Sequence, residues 1–204
     1  MIFPVFSLLR LTIPSIADLI SICETSLNDS LVPNVPILDG YTFEPANHPD
    51  NVTHGGVGLF YKNSLPIVVR RDLSFSESIV IELKFGRKKV FFTVLYRSPS
   101  FDHNSPEFHS FLENFRSLHN KITAENPFAM FFTGDFNGHS QIWWPEGDTN
   151  SEGQEIEDLF SSLNLSQIIS EPTNFTPGCR PSCIDLIVTD QPYLYRRKSS
   201  LLFV

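Results

Sequence analysis

Phe128-Ala129-Met130-Phe131-Phe132-Thr133 runs without a charge into Gly134-Asp135-Phe136-Asn137, and the join between the two decides how the chain is read. Six apolar or neutral residues bounded by turn chemistry predict a buried strand. Gly134 offers a backbone that can leave that strand tightly. Asp135 and Asn137 alternate across Phe136, so both point to one face while the ring points to the core. A carboxylate acceptor beside an amide donor suits orienting a water and holding a phosphate oxygen.

Outward from this join, the chain reads as short apolar runs separated by turn residues. Asp18 to Cys23 predicts a strand ending at Glu24. The Pro-rich segment Leu31 to Pro49 predicts an extended surface loop. Gly55-Gly56-Val57-Gly58-Leu59-Phe60-Tyr61 opens a series of strands that continues at Leu65 to Val69, Ile79 to Phe85 and Val90 to Tyr96. Lys62-Asn63-Ser64 and Gly86-Arg87-Lys88 are tight connections, which predicts two hairpins. Ser105-Pro106-Glu107 is a helix start, with an N-cap, a Pro at the first helical position and an acid near the positive end of the dipole. Phe108, Phe111, Leu112, Phe115, Leu118 and Ile122 then follow at helical spacing on one face. A second helix is marked by Ile156, Leu159, Phe160 and Leu163, and a last strand by Cys183 to Val188. Strands dominate and helices are few, which predicts a layered α/β sandwich and not a doubly wound parallel sheet.

Composition limits the function classes. The 204 residues suggest one domain, and 19 Phe residues supply enough large rings for a sizeable core. Fifteen Pro against ten Gly fits many strands and turns. No apolar run approaches the roughly 18 residues of a membrane span. Lys and Arg number 15 against 23 Asp and Glu, a net charge of −8, which excludes a protein that coats nucleic acid by bulk charge. It leaves open an enzyme that binds a phosphodiester through a cation. Cys23, Cys179 and Cys183 form no disulfide framework, and Cys179 with Cys183 is at most half a zinc site. Met1 to Leu9 lacks a basic leader pattern, so the chain is expected not to be secreted. The sequons at Asn28, Asn51, Asn164 and Asn174 do not outweigh this.

Glu24, Tyr96 and Asp135 end apolar strands, and Asp185 interrupts one. An unpartnered buried Asp costs several kcal/mol, so Asp185 needs a cation, a His or a donor network. Read from periodicity alone, the four could equally be ordinary strand-end polar groups and one structural Asp.

Five motifs resolve this by resemblance. Ile22-Cys23-Glu24-Thr25-Ser26-Leu27, the Gly55 to Tyr61 run, Tyr96-Arg97-Ser98-Pro99, Gly134-Asp135-Phe136-Asn137-Gly138-His139 with Trp143-Trp144, and Ser182-Cys183-Ile184-Asp185-Leu186-Ile187 stand in register. Over roughly residues 15 to 190 the chain resembles the endonuclease/exonuclease/phosphatase family, the DNase I-like fold. Within that family it is similar to the endonuclease domain of non-LTR (LINE-type, jockey-like) retrotransposon polyproteins.

The resemblance implies a four-layer sandwich of two packed mixed or antiparallel sheets flanked by helices, with residues 1–14 outside the match and 191–204 a C-terminal tail. It implies a Mg²⁺-dependent endonuclease, with Mn²⁺ as substitute, that nicks DNA to prime a reverse transcriptase of the parent polyprotein in the nucleus. Glu24 would be the metal carboxylate, and Tyr96 would donate its hydroxyl beside the scissile phosphate. Asp135 would orient and deprotonate the attacking water, Asn137 would hold that water or a phosphate oxygen, and Asp185 would orient a catalytic His.

The family pattern also has a metal-binding Asn on an opening strand and a closing Ser-Asp-His segment. Met1 to Ala17 holds no Asn, and no Asp-His follows Asp185. The expectation is therefore a sandwich without its first and last strands and an impaired or inactive site, with Met1 to Leu11 partly replacing a strand. Asp102-His103 is the sole Asp-His pair and lies in the loop after Tyr96. Arg97, His139, Trp143 and Trp144 are expected near nucleic acid. The two Trp residues read either as base-stacking platforms or as a loop anchored by one buried ring. His139 and His54 read as loop residues, His109 and His119 as helix-surface residues, and Arg196-Arg197-Lys198 as a solvated end or a phosphate contact. RNA or a phosphoinositide are the alternative substrates.

Overall fold

The computed structural model describes residues 17–175, 178 and 180–194. The roles expected of Met1 to Leu11, Cys179 and Arg196 to Lys198 lie outside the described residues. Among the described residues, nine strands form two sheets. The smaller has the order β1-β3-β2, from β1 (Leu19–Cys23), β2 (Tyr41–Ala46) and β3 (Val57–Lys62), all antiparallel. The larger has the order β4-β5-β6-β7-β9-β8, from β4 (Ile67–Val69), β5 (Ser78–Phe85), β6 (Lys88–Tyr96), β7 (Ala129–Asp135), β8 (Ser166–Gln167) and β9 (Asp185–Thr189).

Helix α1 (Pro106–Ala124) carries the chain from β6 to β7, and these two strands are parallel because a helical crossover joins them. The other pairs of the larger sheet are antiparallel, so the sheet is mixed. The β5–β6 hairpin forms as expected, its two-residue loop opened by Gly86 at φ +62° between the paired Phe85 and Lys88.

Helix α1 begins where its sequence says. The Ser105 hydroxyl accepts from the Phe108 N–H at 3.1 Å, Pro106 occupies the first turn and Lys121 the last. Phe108, Phe111, Phe115, Leu118 and Ile122 are buried against the larger sheet. Each such ring or aliphatic contributes roughly 1.5–3 kcal/mol by leaving water. Helix α2 (Ser151–Ser162) is capped by Asn150 and buries Ile156, Leu159 and Phe160 in the same core. Phe115, Phe132, Phe136 and Phe160 meet there as tilted and edge-on rings. A second core lies between the sheets, built from Val57, Leu59, Ile79, Ile81, Leu83, Val94 and Tyr96.

Four expectations are corrected. The Leu31 to Pro49 loop contains β2, whose Pro45 is tolerated because β2 is an edge strand. Lys62-Asn63-Ser64 makes no hairpin: β3 and β4 belong to different sheets, and the turn crosses between them. Asp185 does not interrupt a strand but begins one, with Cys183 and Ile184 before it. Gly134 likewise lies inside β7, at φ +147°, where a Cβ would collide with the Leu95 carbonyl of β6. Its requirement is close strand approach, not a tight exit.

Candidate active site

The register of the larger sheet aligns three of the expected residues. Tyr96 at the end of β6 pairs with Asp135 at the end of β7, and Asp135 pairs with Asp185 at the start of β9. Paired residues on neighbouring strands project to the same face. Tyr96 belongs to the core between the sheets, so all three side chains gather at one mouth of the inter-sheet layer. Glu24, just past β1 of the smaller sheet, reaches the same mouth: the Tyr96 hydroxyl donates to Glu24 Oε1 at 2.7 Å.

Cys23 explains how β1 docks there. Its thiol lies 3.6 Å from the Leu95 carbonyl and accepts the Asp135 N–H at 3.4 Å, so the end of β1 touches the ends of both β6 and β7. Burial pushes this thiol far above its ordinary value, and it is a packed neutral group with no reactivity to offer.

The Asp135–Asn137 segment is closed on itself. Asp135 Oδ1 accepts from the Asn137 N–H at 2.8 Å, and Asn137 Nδ2 donates to the Arg97 carbonyl at 2.8 Å. Asn137 holds φ +48°, a left-handed conformation that Asn adopts more readily than most residues. Between them Phe136 is fully buried.

Arg97, expected among the nucleic-acid contacts, is 1% exposed. Its guanidinium donates to the carbonyls of Phe136, Asn137, Phe101 and Ser98, and its own N–H to the Asp135 carbonyl. It is the clamp that fixes the Asp135–Asn137 loop. Arg97→Met should therefore lower unfolding free energy by about 3 kcal/mol in urea titrations, because several buried carbonyls lose their donor. Weaker DNA binding with unchanged stability would mark a phosphate contact instead.

Trp143 is buried against Phe160, and its indole N–H donates to Glu157. Trp144 is half-buried on the same core. Of the two readings for this pair, Trp143 follows the anchored loop. His139 is half-buried and exchanges main-chain hydrogen bonds with Asn150, through its N–H to Asn150 Oδ1 and its carbonyl from the Asn150 N–H.

Electrostatics concentrate at the mouth. Asp135 is pushed up to about 7, first by burial and then by the charges of Asp185 and Glu24, against the pull of the Asn137 N–H and Arg97. Asp185 is raised by burial, opposed by a hydrogen bond from the Thr173 hydroxyl. Tyr96 is raised well beyond its ordinary value, by burial first and by its bond to Glu24 second, so it stays a donor. Three carboxyl groups at one mouth, where the charge of Glu24 raises both Asp135 and Asp185 and that of Asp185 raises Asp135, fit a cation through hard oxygen donors. Glu24 is exposed and can give one oxygen. Mg²⁺ typically takes one or two carboxylates and completes its shell with water and substrate phosphate.

Among the described residues, the one trio of metal-type ligand atoms all within 4.8 Å of one another is elsewhere, at Asp102, His103 and Glu152. The His103 N–H donates to Glu152 Oε1 at 2.9 Å, which ties the loop after β6 to the first turn of α2. Among the described residues, which include all six histidines, none of these is hydrogen-bonded to Asp185.

Two groups escaped the sequence reading, and a third was read with other surroundings. Thr173 accepts the main-chain N–H groups of Ile184 and Asp185 and bonds the Asp185 carboxylate. Glu77, buried beside Tyr96 and Gly55, is a lone acid before an apolar run. Arg97, read from its motif as a nucleic-acid contact, is instead buried among main-chain carbonyls. Only the Glu77 position carried a sequence signal, an acid directly preceding Ser78 to Phe85.

The sequence signature of the endonuclease-reverse transcriptase family matches residues 90–201, more than half of the chain. No curated protein matches. Among solved structures, the endonuclease domain of TRAS1, a telomere-specific non-LTR retrotransposon, superposes with a TM-score of 0.64 at 17% identity, covering 84% of this chain and 71% of that one. The AP endonuclease LMAP from Leishmania major gives 0.74 at 14% identity, with 92% and 73% covered. The 3'-5' exonuclease from Neisseria meningitidis gives 0.61 at 16% identity, with 90% and 80% covered. These likenesses establish the DNase I-like fold of the two sheets, and with the signature over β6 to β9 the chain belongs to the endonuclease-reverse transcriptase family.

Proposed function

We propose that this chain hydrolyses phosphodiester bonds in DNA, as a Mg²⁺-dependent nicking domain of retrotransposon origin. The observation that carries the reading is the convergence of Glu24 on Tyr96 while Tyr96, Asp135 and Asp185 stand in consecutive register positions on one face. Glu24 would hold the cation. When bound, the cation supplies Lewis-acid polarisation of the phosphoryl group and compensates charge on the leaving 3′ oxygen.

The chain's own residues do the rest. Asp135 accepts the proton of the attacking water and Asn137, locked by Arg97, orients it. The Tyr96 hydroxyl donates to a non-bridging phosphate oxygen as charge develops there. Among the described residues no His is bonded to Asp185, and with these residues alone the leaving oxygen takes its proton from solvent. Absence of a positioned acid lowers the rate by about 10²–10⁴, and slow nicking is the expected activity. By the same reading the domain acts beside a reverse transcriptase in the nucleus, and His139 and half-buried Trp144 flank the bound strand.

A second reading, an inactive relic of the same family, is favoured by that one observation at Asp185. Incubation of supercoiled plasmid, oligo(A) and a phosphoinositide with Mg²⁺ separates the cases. Relaxed circles that form with Mg²⁺ and not with EDTA support DNA nicking. Hydrolysis of oligo(A) or the lipid alone moves the substrate, and none at all leaves the relic.

A further inference from the structure

Glu77 lies in the turn before β5, 5% exposed, with a left-handed backbone at φ +51°. Its Oε1 accepts the Gly56 N–H at 2.6 Å, and its main-chain carbonyl accepts the Tyr96 N–H at 3.1 Å. Gly55 and Gly56 both hold positive φ, +63° and +79°. A Cβ on Gly55 would overlap the Glu77 carboxylate and touch the Tyr96 ring. The next bonds lead to the site: the Thr25 N–H donates to the Gly56 carbonyl at 3.2 Å, and the Ser26 N–H to the Gly55 carbonyl at 2.9 Å. Glu24 and Ser26, on either side of Thr25, are themselves left-handed, each at φ +53°.

We infer that Glu77 is a positioning residue of the active site, setting Glu24 through the Gly55-Gly56 turn. Non-glycine residues hold left-handed backbone only where their surroundings over-determine it. For the Glu24 to Ser26 loop, those surroundings are the two glycine carbonyls, and the glycine turn is in turn fixed by the Glu77 carboxylate. The same residue grips Tyr96 through its main chain, so the donor and acceptor of the Tyr96–Glu24 bond are aligned from one point. It also accounts for Gly55-Gly56: the carboxylate fills the space a side chain on Gly55 would need.

The inference rests on the reading of Glu24 as the cation's carboxylate, and the test keeps the two apart. Mn²⁺ affinity of the full chain is measured by calorimetry for wild type, Glu77→Gln, Glu77→Asp, Glu77→Ala and Glu24→Ala. What matters at Glu77 is the reach of an acceptor oxygen, not its charge. Gln keeps that reach, so Glu77→Gln should bind within about twofold of wild type, whereas Asp and Ala should weaken Mn²⁺ by about 10–100-fold, the usual cost of losing a residue that holds a ligand. The nicking rate at saturating DNA should fall in the same order.

Asp equal to wild type with Gln weakened would show that charge is the operative property and overturn the inference, as would wild-type affinity in all three. Should Ala or Asp fail to fold, hydrogen exchange at the Gly56 amide in the wild-type chain still decides. Strong protection is expected, and exchange at the rate of a solvent-facing turn overturns the inference. Glu24→Ala binding Mn²⁺ as wild type does would instead sink the metal-site reading, whatever Glu77 does.

Discussion

Asp135→Asn should slow Mg²⁺-dependent plasmid nicking by about 10²–10⁴-fold without disturbing the loop it belongs to. The separation of charge from geometry is what makes this variant informative. Asp135 Oδ1 accepts the Asn137 N–H, and an Asn side chain presents an acceptor oxygen at the same reach. The Arg97 clamp grips main-chain carbonyls of Asp135, Phe136 and Asn137, so it is indifferent to the change. Phe136 keeps its place among Phe111, Phe115 and Phe160. The loss is confined to a base able to take a proton. Single-turnover nicking of supercoiled plasmid, run across pH with Mg²⁺ fixed, is the measurement. Wild-type rates should rise with pH as Asp135 ionises, and the variant should show a low, flat profile. Nicking within threefold of wild type at neutral pH would remove Asp135 from the chemistry.

What could be read from the sequence was what short stretches of chain determine by themselves. The Ser105 cap, the Phe108–Ile122 stripe and the β7 run are local patterns, and all appear where expected. The alternation of Asp135 and Phe136 is a two-residue period, and it turns the acid to the inter-sheet mouth and the ring to the helix-packed core, while Asn137 leaves that period at φ +48°. Strand β2 was hidden because Pro45 argues against a strand unless the strand is known to be an edge, and edge status belongs to the sheet. The burial of Arg97 was hidden for a related reason. A basic residue in a motif shared with a nuclease family suggests phosphate, yet its donors meet carbonyls some 40 residues away in sequence. The Tyr96–Glu24 bond spans 72 residues and the Glu77–Gly56 bond 21, through backbone conformations that no composition encodes. The candidate residues were therefore readable and their supports were not.

The metal-free chain should be more stable in mild acid than above neutrality, and Asp135→Asn should abolish most of that difference. The folded state raises Asp135 from the ordinary 3.8 to about 7, chiefly by burial. A group whose folded pKa exceeds its unfolded value binds its proton better when folded. Its stabilising contribution is complete below about 3.8 and drains away as pH climbs to about 7, at roughly 1.4 kcal/mol per pH unit. Across that whole range the loss approaches ~4 kcal/mol, and between pH 5 and pH 8 about 3 kcal/mol remains to be lost. Asp185 is raised too and works in the same direction. The Arg70 partners Asp72 and Glu125 are lowered by their hydrogen bonds to it, so their stabilisation fails only at pH below their ordinary values, outside this window. Asn at position 135 has no proton to lose. Urea unfolding in EDTA at pH 5 and pH 8 should therefore show the variant gaining about 3 kcal/mol on wild type between the two. Mg²⁺ at pH 8 should return much of this to wild type, since an ion that binds only the folded state stabilises it by mass action and favours the charged carboxylate. Parallel pH profiles for the two proteins would mean that Asp135 is ionised at no cost in the empty site, and the crowding of acids at the mouth would then carry no energetic weight.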